Sequence, residues 1–258
     1  MIFTMDVGNT NIKMGLFNGK ELIKYWRLST NRTSTSDEYG ILVTSLFHTD
    51  GLSRNLVSGI MISSVVPTVN FTIEHMCNEY FGISPTFVMP GIKTGINIQY
   101  DNPQALGSDR ICNAVAAQVC YGSPCIYIDF GTATTFGVVN EKGAFIGGCI
   151  CPGIKIASEA LVHGTSKLPN FELVWPETVI GRNTISNLQS GMLYGFVGQV
   201  EYLIRRMKQE LKRDDAKVIA TGGMARMIAE QTDSIDHIDG LLTLKGLRLI
   251  YERNQSAE

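Results

Sequence analysis

The stretch IDFGTATTFGVVN at 128–140 decides the fold, because a near copy, MDVGNTNIKMGLFN, stands at 5–18. Each carries an apolar strand, an Asp two places before a Gly, a run of small hydroxylated or amide residues, and a second apolar strand. The first tip runs Asp6, Val7, Gly8, Asn9, Thr10, Asn11; the second runs Asp129, Phe130, Gly131, Thr132, Ala133, Thr134, Thr135. Glycine allows the close main-chain approach by which converging backbone N–H groups hold an anion, and Asn and Thr add donors without bulk. An Asp is a poor partner for a bare phosphate, so its place before each Gly points to a cation between carboxylate and phosphate. Either tip alone could be a hairpin turn closed by Asx-type hydrogen bonds. The repetition, with a later strand ending in Thr221, Gly222 and Gly223, favours a pair of tips that grip a metal triphosphate.

Working outward from the tips, the hydrophobic pattern predicts strands over MIFTMDV, IKMGLF and ELIKYWRL and a helix starting at Ser36. A strand over NLVSGIMISS, a helix opened by Pro67 and closed by Gly82, and a strand over PTFVM complete the first half. After an irregular stretch at 90–102 comes a helix over PQALGSDRICNAVAAQVCYG. The order then restarts with strands CIYID, TTFGVV and AFIGGCI and a helix begun by Pro152. A long helix runs from Thr184 to about Lys212, followed by strand AKVIATGG and helices to the end. Strand–helix–strand order implies crossovers and a partly parallel sheet. The offset of 123 residues between Asp6 and Asp129 reads as a duplicated α/β domain, with expected bounds 1–118 and 119–258. Solenoid periods are far shorter.

Composition narrows the function classes. A chain of 258 residues with 44% hydrophobic and 18% charged residues can bury a sizeable core, and a net charge of −2 gives no basic field for nucleic acid. No window has the apolar length of a membrane span, and Asp6 and Asn9 break the first apolar stretch, so the sequence predicts a cytoplasmic protein. The six cysteines form no CxxC pair and the four histidines have no metal-ligand spacing, which predicts reduced thiols and no structural zinc. Cys149, Cys151, Met224, Met227, Trp26 and Trp175 are read as packing residues. The sequence contains neither GxxxxGK[ST] nor a GxGxxG after a strand, so a nucleotide must be held in another way.

Paired DxGxT-like hairpins with a late GG turn resemble the superfamily of acetate and sugar kinases, heat-shock ATPases and actin, in which two duplicated, ribonuclease H-like domains close over ATP. Within it, the chain resembles the type III pantothenate kinases along nearly its whole length. The stretches that carry the resemblance are DVGNTNIKMGLF at 6–17, DNPQALGSDR at 101–110, DFGTATTF at 129–136, GGCICPGI at 147–154, KLP at 167–169, IGRNT at 180–184 with QSG after it, and TGG at 221–223. The resemblance implies two actin-like domains with a nucleotide cleft between them. It also implies ATP-dependent phosphorylation of pantothenate to 4'-phosphopantothenate, the first step toward coenzyme A.

It further implies roles for single residues. Asp109 is the expected base, because phosphoryl transfer to an alcohol needs a carboxylate to accept the hydroxyl proton. Gly107, Ser108, Asp109 and Arg110 are expected to contact pantothenate, with Tyr100 against it and Thr184 contributing across a subunit boundary of a homodimer. Asp6, Val7, Gly8, Asn9, Thr10, Asn11, Ile12 and Lys13 form the first phosphate loop, with Asp6 on Mg²⁺ and Lys13 toward phosphate. Thr132 binds phosphate from the second loop, Gly222 and Gly223 form the adenosine turn, and Asp129 holds K⁺ or NH₄⁺. By residue chemistry alone Asp109 is equally a helix-start carboxylate paired with Arg110, Tyr100 a packing aromatic and Thr184 an N-cap. Hydrolysis of a polyphosphate or nucleotide, and a regulatory role without turnover, are the competing readings.

Overall fold

Alternating apolar residues on either side of a short loop make the first hairpin of the computed structural model, which describes residues 1–255. β1 (Ile2–Val7) and β2 (Asn11–Asn18) pair antiparallel from Ile2↔Phe17 to Val7↔Ile12, and β3 (Glu21–Ser29) adds to β2. α1 (Ser36–Thr49) starts at a capping box. The Thr35 hydroxyl accepts from the Glu38 N–H at 3.2 Å, and the Glu38 carboxylate accepts from the Thr35 N–H at 2.7 Å. Tyr39, Val43 and Phe47, spaced four apart, turn its buried face inward. β4 (Gly59–Ser64) returns parallel to β1, α2 (Pro67–Phe81) starts on a proline and stops at Gly82, and β5 (Thr86–Phe87) finishes a sheet ordered β3-β2-β1-β4-β5. Gly82 has φ 66°, the left-handed geometry that lets the chain leave a helix. Phe3, Trp26, Phe47 and Phe81 interlock in the core, with Trp26 and Phe47 stacked at 4.8 Å and Phe3 edge-on to Phe47 at 5.3 Å.

The chain then makes β6 (Asn97–Ile98), a 3₁₀ turn at Pro103–Ala105, and α3 (Ser108–Tyr121). Next come β7 (Cys125–Phe130), β8 (Ala133–Val139), β9 (Ala144–Pro152), α4 (Ile154–His163), α5 (Thr184–Leu211), β10 (Lys217–Gly222), α6 (Ala225–Ala229) and β11 (His237–Ile238). The second sheet is ordered β11-β10-β7-β8-β9-β6. Without β6 it repeats the first strand for strand, β7 standing for β1 and β10 for β4, with the same antiparallel and parallel pairings. The duplication read from the two tips is therefore present in topology. The apolar sides of β7, β8 and β10 pack against α5 and α6 around Ile128, Phe130, Phe136, Val200, Ala220 and Ile228. Cys149 and Cys151 lie on the same side of β9 against this core.

Some boundaries differ from expectation. The strand expected from 55 begins at Gly59, because Arg54–Leu56 is a 3₁₀ turn capped by Ser53. The helix expected from Pro103 begins at Ser108, because Leu106 is extended and breaks the turn. Pro152 ends β9 rather than opening α4: β6 covers the outer edge of β9 only at Ala144 and Phe145, so a proline without an N–H is tolerated there, and Gly153 caps the helix. The two-residue strand β6 lies in the stretch read as irregular.

The chain forms two compact units, Met1–Ile96 with Asp101–Ala116 and the segment from Leu241, and Asn97–Tyr100 with Ala117–Gly240. The sequence expects a boundary at 118/119 and residues 241–258 in the second domain. Instead α7 (Leu242–Gln255) belongs to the first unit, and the division falls inside α3. The physical reason is the stripe Leu244, Leu247 and Ile250, buried where α7 packs on β1 and β4. Tyr251 of α7 fills the space that a side chain at Gly59 would occupy.

Candidate active site

In the first unit the site begins at the C-terminal end of β1. Asp6 is 8% exposed and stands beside Lys13 on β2 and Ser63 on β4 in the strand register. The Lys13 ammonium is 3.9 Å from the Asp6 carboxylate. The loop beyond is tied back through its carbonyls. Gly8 donates to the Asn11 carbonyl at 3.0 Å, the Thr30 N–H to Thr10 at 3.0 Å, and the Thr30 hydroxyl to Gly8 at 2.6 Å. Arg32 donates to the Asn9 side chain at 3.0 Å, leaving Asn9 and Thr10 exposed at the tip. With these carbonyls engaged, an anion at the tip does not face them. Val7 and Ile12 are core residues, each 1% exposed, so of the expected loop they offer backbone alone.

The N-terminus of α3 is set against the same end of the sheet. The Ser108 hydroxyl donates to the Ser64 carbonyl at 3.2 Å, accepts from the Ser64 N–H at 3.1 Å, and lies 3.0 Å from the Ser63 hydroxyl. Ser108, expected to touch substrate, thus spends its hydroxyl inside the protein. Asp109 accepts from the Arg110 N–H at 2.8 Å, and a Cβ on Gly107 would lie 2.5 Å from its carboxylate oxygen. Glycine at 107 therefore leaves the Asp109 carboxylate its place. Arg110 lies in the same first turn and is buried. One turn on, burial raises the Cys112 thiol well above its ordinary range, and the charges of Asp6 and Asp109 add to the shift. Ser63, the register neighbour of Asp6 and a hydrogen-bond partner of Ser108, brings Asp6, Lys13 and the start of α3 to one end of the sheet.

In the second unit Asp129 takes the place of Asp6. Its register partners are Thr135 on β8 and Thr221 on β10, and its loop closes by Gly131 donating to the Ala133 carbonyl at 3.1 Å. Thr132 is exposed at the tip, and a Cβ on Gly153 would come within 2.2 Å of its carbonyl, so the start of α4 presses on this loop. Gly222 has φ 94°, and a Cβ there would lie 2.6 Å from the Asp129 carboxylate and from the Phe130 backbone. The Gly222-Gly223 turn consequently lies directly on Asp129. Thr221 is fully buried, and among the described residues its hydroxyl has no hydrogen-bond partner, as is true of the Thr134 hydroxyl.

Two further expected residues belong to the second unit. Thr184 is the exposed first residue of α5; the N-cap is Asn183, whose side chain accepts from the Ser186 N–H at 2.9 Å. Tyr100 is half-buried after β6 with its ring 6.2 Å from Phe145, in the second unit. Reading the sequence missed Ser63, Ser64 and Thr221 as site neighbours. The shared signal was hydroxyl residues at the C-terminal ends of matching strands, β4 and β10. A hollow lined by Asn140, Lys142 and Arg213 lies at the far end of β8 from Thr132 and holds none of these residues. Among the described residues no group of three or more His, Cys, Asp or Glu is gathered to hold a metal, and no helix is long and apolar enough to cross a membrane.

The chain is similar over its full length to solved structures of low identity, which share the fold. A protein assigned to the Baf family of transcriptional activators from Campylobacter jejuni is 20% identical, with TM-score 0.63 over 98% of this chain and 99% of its own. Component A of (R)-2-hydroxyglutaryl-CoA dehydratase from Acidaminococcus fermentans is 14% identical, with TM-score 0.57 over the whole of both chains. The inorganic polyphosphate/ATP-glucomannokinase of Arthrobacter sp. strain KM is 13% identical, with TM-score 0.50 over 100% of this chain and 99% of its own. Residues 2–206 match the sequence pattern of the family described as type III pantothenate kinase. With that match across most of the chain, and two α/β units of the actin-like ATPase type beneath it, the chain belongs to the type III pantothenate kinase family and is a kinase.

Proposed function

We propose that the protein transfers the γ-phosphoryl group of ATP to the primary hydroxyl of pantothenate, giving 4'-phosphopantothenate and ADP as the first step toward coenzyme A. The observation that carries this reading is Asp109 on the N-terminus of α3, a start tied through Ser108 to Ser63, the register neighbour of Asp6. In the reaction the hydroxyl O–H bond breaks, its oxygen bonds the γ-phosphorus, and the bond from that phosphorus to the β-phosphate bridge breaks. Asp109 takes the proton, and α3 holds it in place through Ser108. Arg110 offers the fork for the pantothenate carboxylate. Tyr100 and Thr184 are the further substrate residues of this reading, Thr184 acting across the subunits of a cytoplasmic homodimer in which α5 forms part of the contact.

Residues 6–13 take the phosphates, with Lys13 as their cation, and Thr132 takes phosphate from the second loop. Gly222 and Gly223 form the adenosine turn. Asp6 suits Mg²⁺, which is commonly held by one or two carboxylates, substrate phosphates and water rather than by an all-protein cage. When bound, Mg²⁺ neutralises the charge that develops on the phosphates. Asp129 suits K⁺ or NH₄⁺: its carboxylate lies under the Gly222 turn, and its register neighbour Thr221 carries a buried hydroxyl with no hydrogen-bond partner among the described residues.

The test is an ADP-release assay with pantothenate, ATP and Mg²⁺, run in K⁺ and then in Na⁺, with products identified by mass spectrometry. Phosphopantothenate appearing in K⁺ and failing in Na⁺ is the expected result. ADP without phosphopantothenate would replace the reading with hydrolysis, and ATP binding without turnover would replace it with a regulatory role.

A further inference from the structure

Ser63 lies on β4 and is fully buried. It is the strand neighbour of Asp6, and its hydroxyl is 3.0 Å from that of Ser108, the residue before Asp109. The direction of that hydrogen bond follows from counting. A serine hydroxyl has one proton and two lone pairs. Ser108 gives its proton to the Ser64 carbonyl and uses one lone pair for the Ser64 N–H, so the remaining lone pair accepts the Ser63 proton. Ser63 also lies against the Cys112 thiol, which burial keeps protonated. Ser108 and Cys112 are four residues apart and face one side of α3, so Ser63 is held between them at the first turn of that helix.

We propose that Ser63 is a positioning residue: its hydroxyl fixes the Asp109 end of α3 against the Asp6 end of β1. The second sheet supplies the comparison. Thr221 occupies the same register place beside Asp129, and among the described residues its hydroxyl has no hydrogen-bond partner. No helix start is tied to that place in the second sheet by a described side chain, whereas the bond in the first unit holds the start of α3. Losing it leaves a buried Ser108 lone pair unmet and frees the first turn of α3 to shift. A misplacement on the order of 1 Å at a reacting group costs up to about a hundredfold in rate.

The inference rests on the reading of Asp109 as base, and its test separates the two. Ser63→Ala is expected to lower kcat for phosphopantothenate formation by roughly tenfold to a hundredfold, with ATP affinity by calorimetry within about twofold. Ser108→Ala removes the same contact from the other side, and the double variant should be no slower than the slower single one. By hydrogen exchange, amides at 110–113 should exchange faster in Ser63→Ala while those of β1 to β3 do not change. Wild-type kcat in a folded Ser63→Ala, or additive losses in the double variant, would overturn the proposal. Should Ser63→Ala fail to fold, Ser108→Ala decides alone, and wild-type kcat in it has the same force. If the wild type makes no phosphopantothenate, the reading of Asp109 fails, and unchanged exchange at 110–113 would still overturn the role of Ser63.

Discussion

Replacing Gly246 by Ala tests how closely α7 is packed on α3 within the first unit. Gly246 is buried on α7, where a Cβ would lie 2.1 Å from the Cys112 carbonyl oxygen, 2.6 Å from its carbon and 2.8 Å from its Cα. These are backbone atoms of α3 and cannot turn aside, so the two helices must separate. Alanine gains about 1 kcal/mol of helix propensity over glycine, and overpacking costs about 1–3 kcal/mol, at the upper end where the neighbour is fixed backbone, which leaves a net loss on the order of 2 kcal/mol. Gly40→Ala is the comparison within the same unit. Its Cβ would meet the Tyr80 ring at 2.3 Å, but that neighbour is a partly buried side chain at the rim of the core rather than backbone, so it can give way and the loss should be smaller, about 1 kcal/mol. Because Cys112 lies one turn from Ser108, Gly246→Ala should also lower kcat by at least about tenfold, and Gly40→Ala should not. Urea unfolding and steady-state kinetics measure both. A Gly246→Ala protein as stable as Gly40→Ala, with kcat intact, would refute the packing argument.

Other expectations can be checked on the same preparations. Asp109→Asn should lower kcat by roughly 10²–10⁴ with ATP binding intact, as removal of a general base does; near-normal turnover would take Asp109 out of the mechanism. Asp129→Ala should lower activity and abolish its dependence on K⁺, and a variant that still responds to K⁺ would place the cation elsewhere. Burial pushes the Cys77 and Cys125 thiols up from 9.0 to about 12, so the folded chain binds these protons more tightly than the unfolded chain. Their contribution is whole below pH 9 and is lost between 9 and about 12, at up to about 1.4 kcal/mol per pH unit for each thiol. Urea midpoints at pH 8 and pH 10.5 should therefore fall less in a Cys77→Ala, Cys125→Ala protein, and an equal fall would assign the effect to other groups. Cys120, the exposed thiol, should be alkylated first.

What the sequence alone determined was local and repeated. The Asp-x-Gly tips, strand alternation and helix signals such as Thr35 with Glu38 or Pro67 before Gly82 act over a few residues, and these placed both hairpins and most elements. The family resemblance was legible for the same reason, since its motifs are contiguous stretches. Only the tertiary structure decided which distant residues share a site. Ser63 and Ser108 are 45 positions apart and meet because β4 pairs with β1 while α3 starts over their common end. Likewise α7 joins the first unit because its apolar stripe fits that sheet and Gly246 admits the Cys112 backbone. Periodicity tells that a helix has a face to bury, but which surface receives it depends on shape and free volume that no single stretch of sequence encodes.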